Sequence, residues 1–140
     1  MILQRHLRHA IRTTAALAAA ALLGTALSAA ESSVTLSDGA YASGGIGNEE
    51  QQALQDRKNS YNLRLTFAQS RTGEYLAGLE IIIERLDRRR TFGPYRDCGP
   101  LFYARLEPGL YRVSATYEGV VRTKTIRIGA KGFEETLYWP

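Results

Sequence analysis

Histidine, cysteine, methionine and tryptophan are scarce in this chain of 140 residues. It holds one Cys, one Met, one Trp and two His, and both histidines, His6 and His9, fall within the first ten residues. A single Cys excludes an intrachain disulfide and any Cys-rich zinc site. With no His after residue 9, everything downstream lacks a Ser-His-Asp triad, a Cys-His pair and a His-ligated metal. The remaining composition is ordinary for a folded protein, 44% apolar and 23% charged, and the length suits one domain with a small appendage.

The first thirty residues stand apart. Residues 1–12 carry Arg5, Arg8 and Arg12 and no acid, and residues 13–30 carry no charge and are mostly Ala and Leu. Small residues close the stretch at Ser28, Ala29 and Ala30, and Glu31 begins a polar segment. A positive start, an apolar middle and a small-residue end predict a secretory signal peptide over 1–30, cleaved near Ala30, with cleavage after Ser28 as the rival site. An uncleaved, Ala-rich anchor is the alternative, since the stretch is about long enough to cross a bilayer. No Cys lies near the cleavage site, so a lipid anchor is not indicated, and no Arg-Arg pair precedes the apolar stretch, so neither is the twin-arginine route. The leader by itself predicts export, to the periplasm or to the medium.

Removing residues 1–30 changes the charge balance. The whole chain carries 18 basic and 14 acidic residues, net +4; taking away three Arg and no acid leaves 15 against 14, net +1. The basicity that would suggest a nucleic acid or an anionic membrane belongs largely to the leader. Neither a nucleic-acid partner nor a membrane span after cleavage is therefore expected.

Residues 31–59 read as a Gly/Ser-rich lead-in followed by a short helix. The run Tyr41-Ala42-Ser43-Gly44-Gly45-Ile46-Gly47 discourages both helix and strand. Asn48 can cap a helix, Glu49 and Glu50 suit its positive start, and Arg57 with Lys58 suit its negative end. This predicts about three turns over 48–58, with a thin apolar side. From residue 60 the period becomes two. Tyr61, Leu63, Leu65 and Phe67 alternate with Asn62, Arg64 and Thr66, which predicts a half-buried strand. Further strands are predicted over 78–86, 101–106, 110–118, 120–128 and 133–139, with turns at Ser70 to Gly73, Glu118-Gly119 and Ala130 to Gly132. Asp87 to Arg90 reads as a charged tip and Tyr95 to Pro100 as a loop.

Strands at about ten-residue spacing predict an all-β, antiparallel Greek-key sandwich of the prealbumin/Ig-like kind over 60–140, with one short N-terminal helix. Leu106-Glu107-Pro108-Gly109-Leu110-Tyr111 sharpens this reading. A Tyr two residues after a Pro-Gly turn, at a strand start, matches a tyrosine corner, whose hydroxyl bonds back to the backbone of the connection. The segment Pro108-Gly109-x-Tyr111-x-Val113-x-Ala115, with Tyr117-Glu118-Gly119 after it, resembles the carboxypeptidase regulatory-like domain, a transthyretin-like β-sandwich. The resemblance spans about 100 residues. It implies a non-catalytic module of exported bacterial proteins, expected in the periplasm rather than the medium, and carries over no catalytic residue.

The candidate contact residues are Arg88, Arg89, Arg90 and Cys98. The three arginines at the tip could meet an anion or an acidic partner, or simply discourage edge pairing. An unpaired Cys98 in an exported protein could pair with another chain, or be a small buried thiol. Gly44 to Gly47 leading into a helix invites a phosphate, but Glu49 and Glu50 would repel it. Glu80, Glu84 and Asp87 show no calcium-ligand spacing. No cofactor and no metal are expected. The functional expectation is binding or support of another cell-envelope protein. The alternative is a small-ligand or carbohydrate-binding module that uses exposed aromatics, Trp139 being the one that would pin the last strand.

Overall fold

A computed structural model describes residues 40–140 of the chain. The expected leader and its cleavage site lie outside the described residues. The elements follow in the order β1 (Tyr41–Gly44), α1 (Asn48–Asp56), β2 (Leu63–Gln69), β3 (Leu79–Arg85), β4 (Arg90–Cys98), β5 (Leu101–Ala104), β6 (Gly109–Tyr117), β7 (Val120–Ile128) and β8 (Phe133–Trp139). A single 3-10 turn, Lys58–Ser60, joins α1 to the strand that follows.

Period-two alternation decides which face of each strand is buried. Leu63, Leu65 and Phe67 of β2 face Leu79, Ile81 and Ile83 of β3 and Tyr111, Val113 and Ala115 of β6 in one apolar core. Two four-stranded sheets enclose it, ordered β1-β5-β2-β8 and β4-β3-β6-β7. The protein is thus an all-β sandwich with one α-helix among the described residues. All named strand pairs are antiparallel except β2 with β8, which run parallel from Leu63↔Phe133 to Gln69↔Trp139. That pair departs from the purely antiparallel expectation. The chain leaves β7 for β8 across the core, through a turn at Gly129 to Gly132, and so enters the other sheet in the same direction as β2.

Two strands were not expected. The Ser- and Gly-rich lead-in contains β1, an edge strand held by β5 from Tyr41↔Ala104 to Gly44↔Leu101. The chain approaches itself closely here: a side chain at Gly99 would meet the Gly44 carbonyl oxygen at 2.5 Å. Ser43 Oγ accepts the Gly99 N–H at 2.9 Å and completes the junction. The charged tip at Asp87 to Arg90 is the turn between β3 and β4, but the expected loop at Tyr95 to Pro100 falls largely in β4, a strand with register shifts against β3 and a cis Gly93–Pro94 peptide. Proline fits because β4 is an edge strand, where the missing N–H breaks no ladder.

The helix is where the sequence puts it, but it is capped differently. Gly47 is the N-cap and Asn48 lies inside the first turn without capping it. Glu50, the third helical residue, instead reaches back past the N-cap and accepts the Ile46 N–H at 3.0 Å. The thin apolar side reduces to Leu54, which packs with Tyr61, Leu101 and Tyr103 on the outer face of the first sheet. Among the described residues no helix is long and apolar enough to cross a membrane.

Candidate functional site

The register of β6 defines two ends of the sandwich. Arg85 pairs with Tyr111 at one end, and Tyr117 pairs with Val120 at the other. The tip between β3 and β4 lies at the first end and the β6–β7 hairpin at the second.

The first end is closed by polar groups that satisfy one another. Tyr111 is fully buried and its hydroxyl donates to the Glu107 carbonyl at 2.7 Å, four residues back, across Pro108-Gly109. Leu106 is buried too, and its backbone is satisfied by Asn62, which accepts from the Leu106 N–H at 2.9 Å and donates to the Leu106 carbonyl at 2.6 Å. Arg85 is 4% exposed. Its guanidinium donates to Asp87 at 2.8 Å, to Glu107 at 2.5 Å and to the Pro108 carbonyl at 2.9 Å. Hydrogen bonds to Asp87 and Glu107 raise the guanidinium pKa, and the bond to Arg85 lowers that of Asp87. A buried charge needs such partners on several sides.

The three tip arginines differ in their surroundings. Arg88 is exposed and lies 3.7 Å from Glu107. Arg90 begins β4 and lies over the Phe92 ring at 4.8 Å. Arg89 is exposed at the apex, in a left-handed conformation with φ 48°. It forms no ion pair among the described residues.

Cys98 does not lie in a loop and does not offer a surface contact. It ends β4, is 1% exposed, and its Sγ lies 3.5 Å from the Tyr95 carbonyl oxygen. Burial pushes its thiol pKa up, so the reactive thiolate is disfavoured. The Gly44–Gly47 segment is likewise occupied by its own chain, since Gln51 donates to the Gly45 carbonyl at 2.9 Å beside the Glu50–Ile46 bond. Among the described residues no group of three or more His, Cys, Asp or Glu could hold a metal.

The second end is open. A cleft of about 450 Å³ lies between the β6–β7 hairpin, the segment 74–76 and the end of β8. Leu76, Tyr117 and Trp139 supply its apolar lining, and Gln69, Glu74 and Glu118 its polar groups. Trp139 is 2% exposed and fixed in place. Its Nε1 donates to the Val120 carbonyl at 3.0 Å, and its ring meets Phe67 and Tyr117 edge-on, with centroids 5.9 and 6.4 Å away. Tyr75, half exposed, forms part of the rim.

The carboxylates of this cleft differ from four of those on the sheets, though Asp97 of β4 also forms no ion pair among the described residues. Glu80 pairs with Arg96 at 2.9 Å, Glu84 with Arg112 at 3.6 Å and Glu134 with Arg64 at 3.1 Å, and Glu135 pairs with Lys124. The Glu74 carboxylate accepts from the Thr72 hydroxyl at 3.4 Å, and neither Glu74 nor Glu118 forms an ion pair among the described residues. Among the described residues no Lys or Arg lines the cleft. Glu118 and Gly119 both have positive φ, 46° and 78°, as a two-residue primed turn requires. Asn, Asp or Gly usually fills the first of these positions, so a Glu there gives up local stability.

Sequence reasoning identified Glu118-Gly119 as a turn and Trp139 as an anchor, but missed Glu74, Tyr75 and Leu76. A short segment after a Gly turn carries no motif, and only the bridge between Ala68 and Tyr75 brings it to the cleft. No family model, no curated protein and no solved structure matches this chain.

Proposed function

We propose that the chain is an exported, non-catalytic docking protein of the cell envelope, which holds another protein at the open end of the sandwich. One observation carries this reading: a cleft of about 450 Å³ lined in part by aromatic rings, whose two carboxylates lack, among the described residues, the cationic partners that Glu80, Glu84, Glu134 and Glu135 have. A recess that combines aromatic rings with a few uncompensated polar groups is a common form of recognition site. The Arg-, Ala- and Ser-containing leader supports export, and the resemblance to a carboxypeptidase regulatory-like domain supports a module without chemistry of its own. The test is photo-crosslinking in intact cells. A crosslinker replacing Tyr75 on the rim should give one discrete protein adduct, and the same group replacing Thr125 on the outer face of the second sheet should give none. Equal adducts at both positions, or none at Tyr75, overturn the reading.

A second reading has its own observation. Ala68 is flanked by Tyr138 across the β2–β8 pair and by Tyr75 across an isolated bridge, so both rings stand on the outer face of the first sheet. Each is about half exposed, at 51% and 50%. Two aromatic faces beside a small residue suit stacking on a sugar ring. Envelope glycan binding that is lost in Tyr138→Ala, with crosslinking at Tyr75 unchanged, would favour this platform over the cleft.

A further inference from the structure

We propose that the cleft receives the β3–β4 tip of a second copy of this chain, with Arg89 as the entering side chain. The inference rests on the reading of the cleft as a protein-docking site and names the protein that docks.

The two surfaces are complementary and lie at opposite ends of one sheet. Strand β6, nine residues long, separates them by about 27 Å at the usual strand rise. At one end Arg89 is exposed at the apex of a turn and has no ionic partner among the described residues; at the other, neither does Glu118. Both are held in left-handed conformations, with φ 48° and 46°, which ordinary side chains adopt only at a cost. A guanidinium suits this cleft in two ways. Its planar face stacks on aromatic rings such as Tyr117, and its N–H groups donate to carboxylates such as Glu74 and Glu118.

Charge also selects the orientation. Tip against tip would oppose Arg88, Arg89 and Arg90 to themselves, and cleft against cleft would oppose Glu74 and Glu118 to themselves. Tip into cleft brings the unpaired Arg89 to unpaired carboxylates, whereas the carboxylates at the tip itself, Asp87 and Glu107, are already engaged by Arg85. With 15 basic and 14 acidic residues after residue 30, no net repulsion opposes the approach. Such a contact is heterologous, so the assembly keeps one free tip and one free cleft, at opposite ends, and grows as an open chain unless the rotation closes it into a ring. One turn entering one cleft is a small interface, which makes the association weak and sensitive to salt.

The test is sedimentation of the purified protein over a range of concentrations. At low salt the wild type should show concentration-dependent association that reverses at high salt. Arg89→Glu and the double variant Glu74→Lys/Glu118→Lys should each weaken it by about tenfold or more. Mixed together, these two variants should associate again, because the acidic tip of one meets the basic cleft of the other and the basic tip meets the acidic cleft. Emission from the buried Trp139 reports whether each variant has folded. A wild type that stays monomeric at low salt, an Arg89→Glu protein that associates as the wild type does, or a mixture that stays monomeric overturns the inference. The crosslinking experiment at Tyr75 separates the two levels. An adduct with a second copy supports both. An adduct with a foreign protein alone supports docking and overturns self-association, and no adduct overturns docking itself.

Discussion

The two ends of the sandwich handle polar groups in opposite ways. Where β3 gives way to β4, the buried Arg85 guanidinium is met by Asp87, Glu107 and the Pro108 carbonyl, and the buried Tyr111 hydroxyl by the Glu107 carbonyl. At the open end, Glu74 and Glu118 line the cleft beside aromatic rings and form no ion pair among the described residues. A polar group that is buried must be satisfied within the chain, whereas one left at a cleft can be satisfied by something else. The closed end therefore stabilises the fold, and the open end keeps unused bonding capacity.

The largest effect expected from breaking this contrast comes at the open end, because the core there is anchored by one large ring. Trp139→Ala removes the indole that packs on Phe67 and Tyr117 and should cost about 3–5 kcal/mol, read by denaturant unfolding. Trp139→Phe keeps most of the packing and loses the bond to the Val120 carbonyl, for about 1 kcal/mol. If Trp139→Ala unfolds no more readily than wild type, the open end contributes nothing to the core and the division between the ends is wrong.

Tyr111→Phe tests the closed end and should cost about 1–2 kcal/mol, since the Glu107 carbonyl loses its donor in a buried setting. An unchanged midpoint would mean that the hydroxyl is not needed to close that end. A smaller effect follows from Asp87, which is about half exposed and therefore screened. Its pKa lies below the ordinary value of 3.8 because of the bond to Arg85. The folded protein thus binds that proton less tightly than the unfolded chain does. The stabilisation is full above the unfolded pKa and is lost as pH falls through the lower folded value. Asp87→Asn should flatten the acid side of the stability curve below about pH 4 and leave its slope unchanged between pH 6 and 8.

The closed end was far easier to read from sequence than the open one. Pro108, Gly109 and Tyr111 lie within six residues, so a local pattern carries the corner, and the alternation from Tyr61 to Phe67 carries the core strand. Strand β1 was hidden because Ser43 and Gly44 have no strand preference of their own; pairing with β5, some 60 positions away, makes them one. Strand β4 was hidden by Gly93, Pro94 and a run of charge, all tolerated at an edge. Cys98 illustrates the same limit, since Asp97 and Gly99 beside it read as a loop while the fold buries its thiol. The cleft gathers Glu74, Tyr75, Tyr117, Glu118 and Trp139 from three separate stretches, and no spacing rule connects them.

The smallest stability change is the most pointed, because its sign differs from the others. Glu118 occupies a left-handed position in a two-residue turn, where Asn is better suited. Glu118→Asn should therefore raise stability by about 0.5 kcal/mol, part of the roughly 1–2 kcal/mol that this conformation costs an ordinary residue. If the open end is a docking site, the same variant should weaken crosslinking at Tyr75 while melting at a higher temperature. A residue kept only for the fold would show no such opposition. Stabilisation with undiminished docking would make Glu118 a bystander and leave Glu74 and the aromatic walls as the whole of the site. Lower stability in Glu118→Asn would mean that the carboxylate holds the hairpin itself, and the contrast between a satisfied end and an unsatisfied one would disappear.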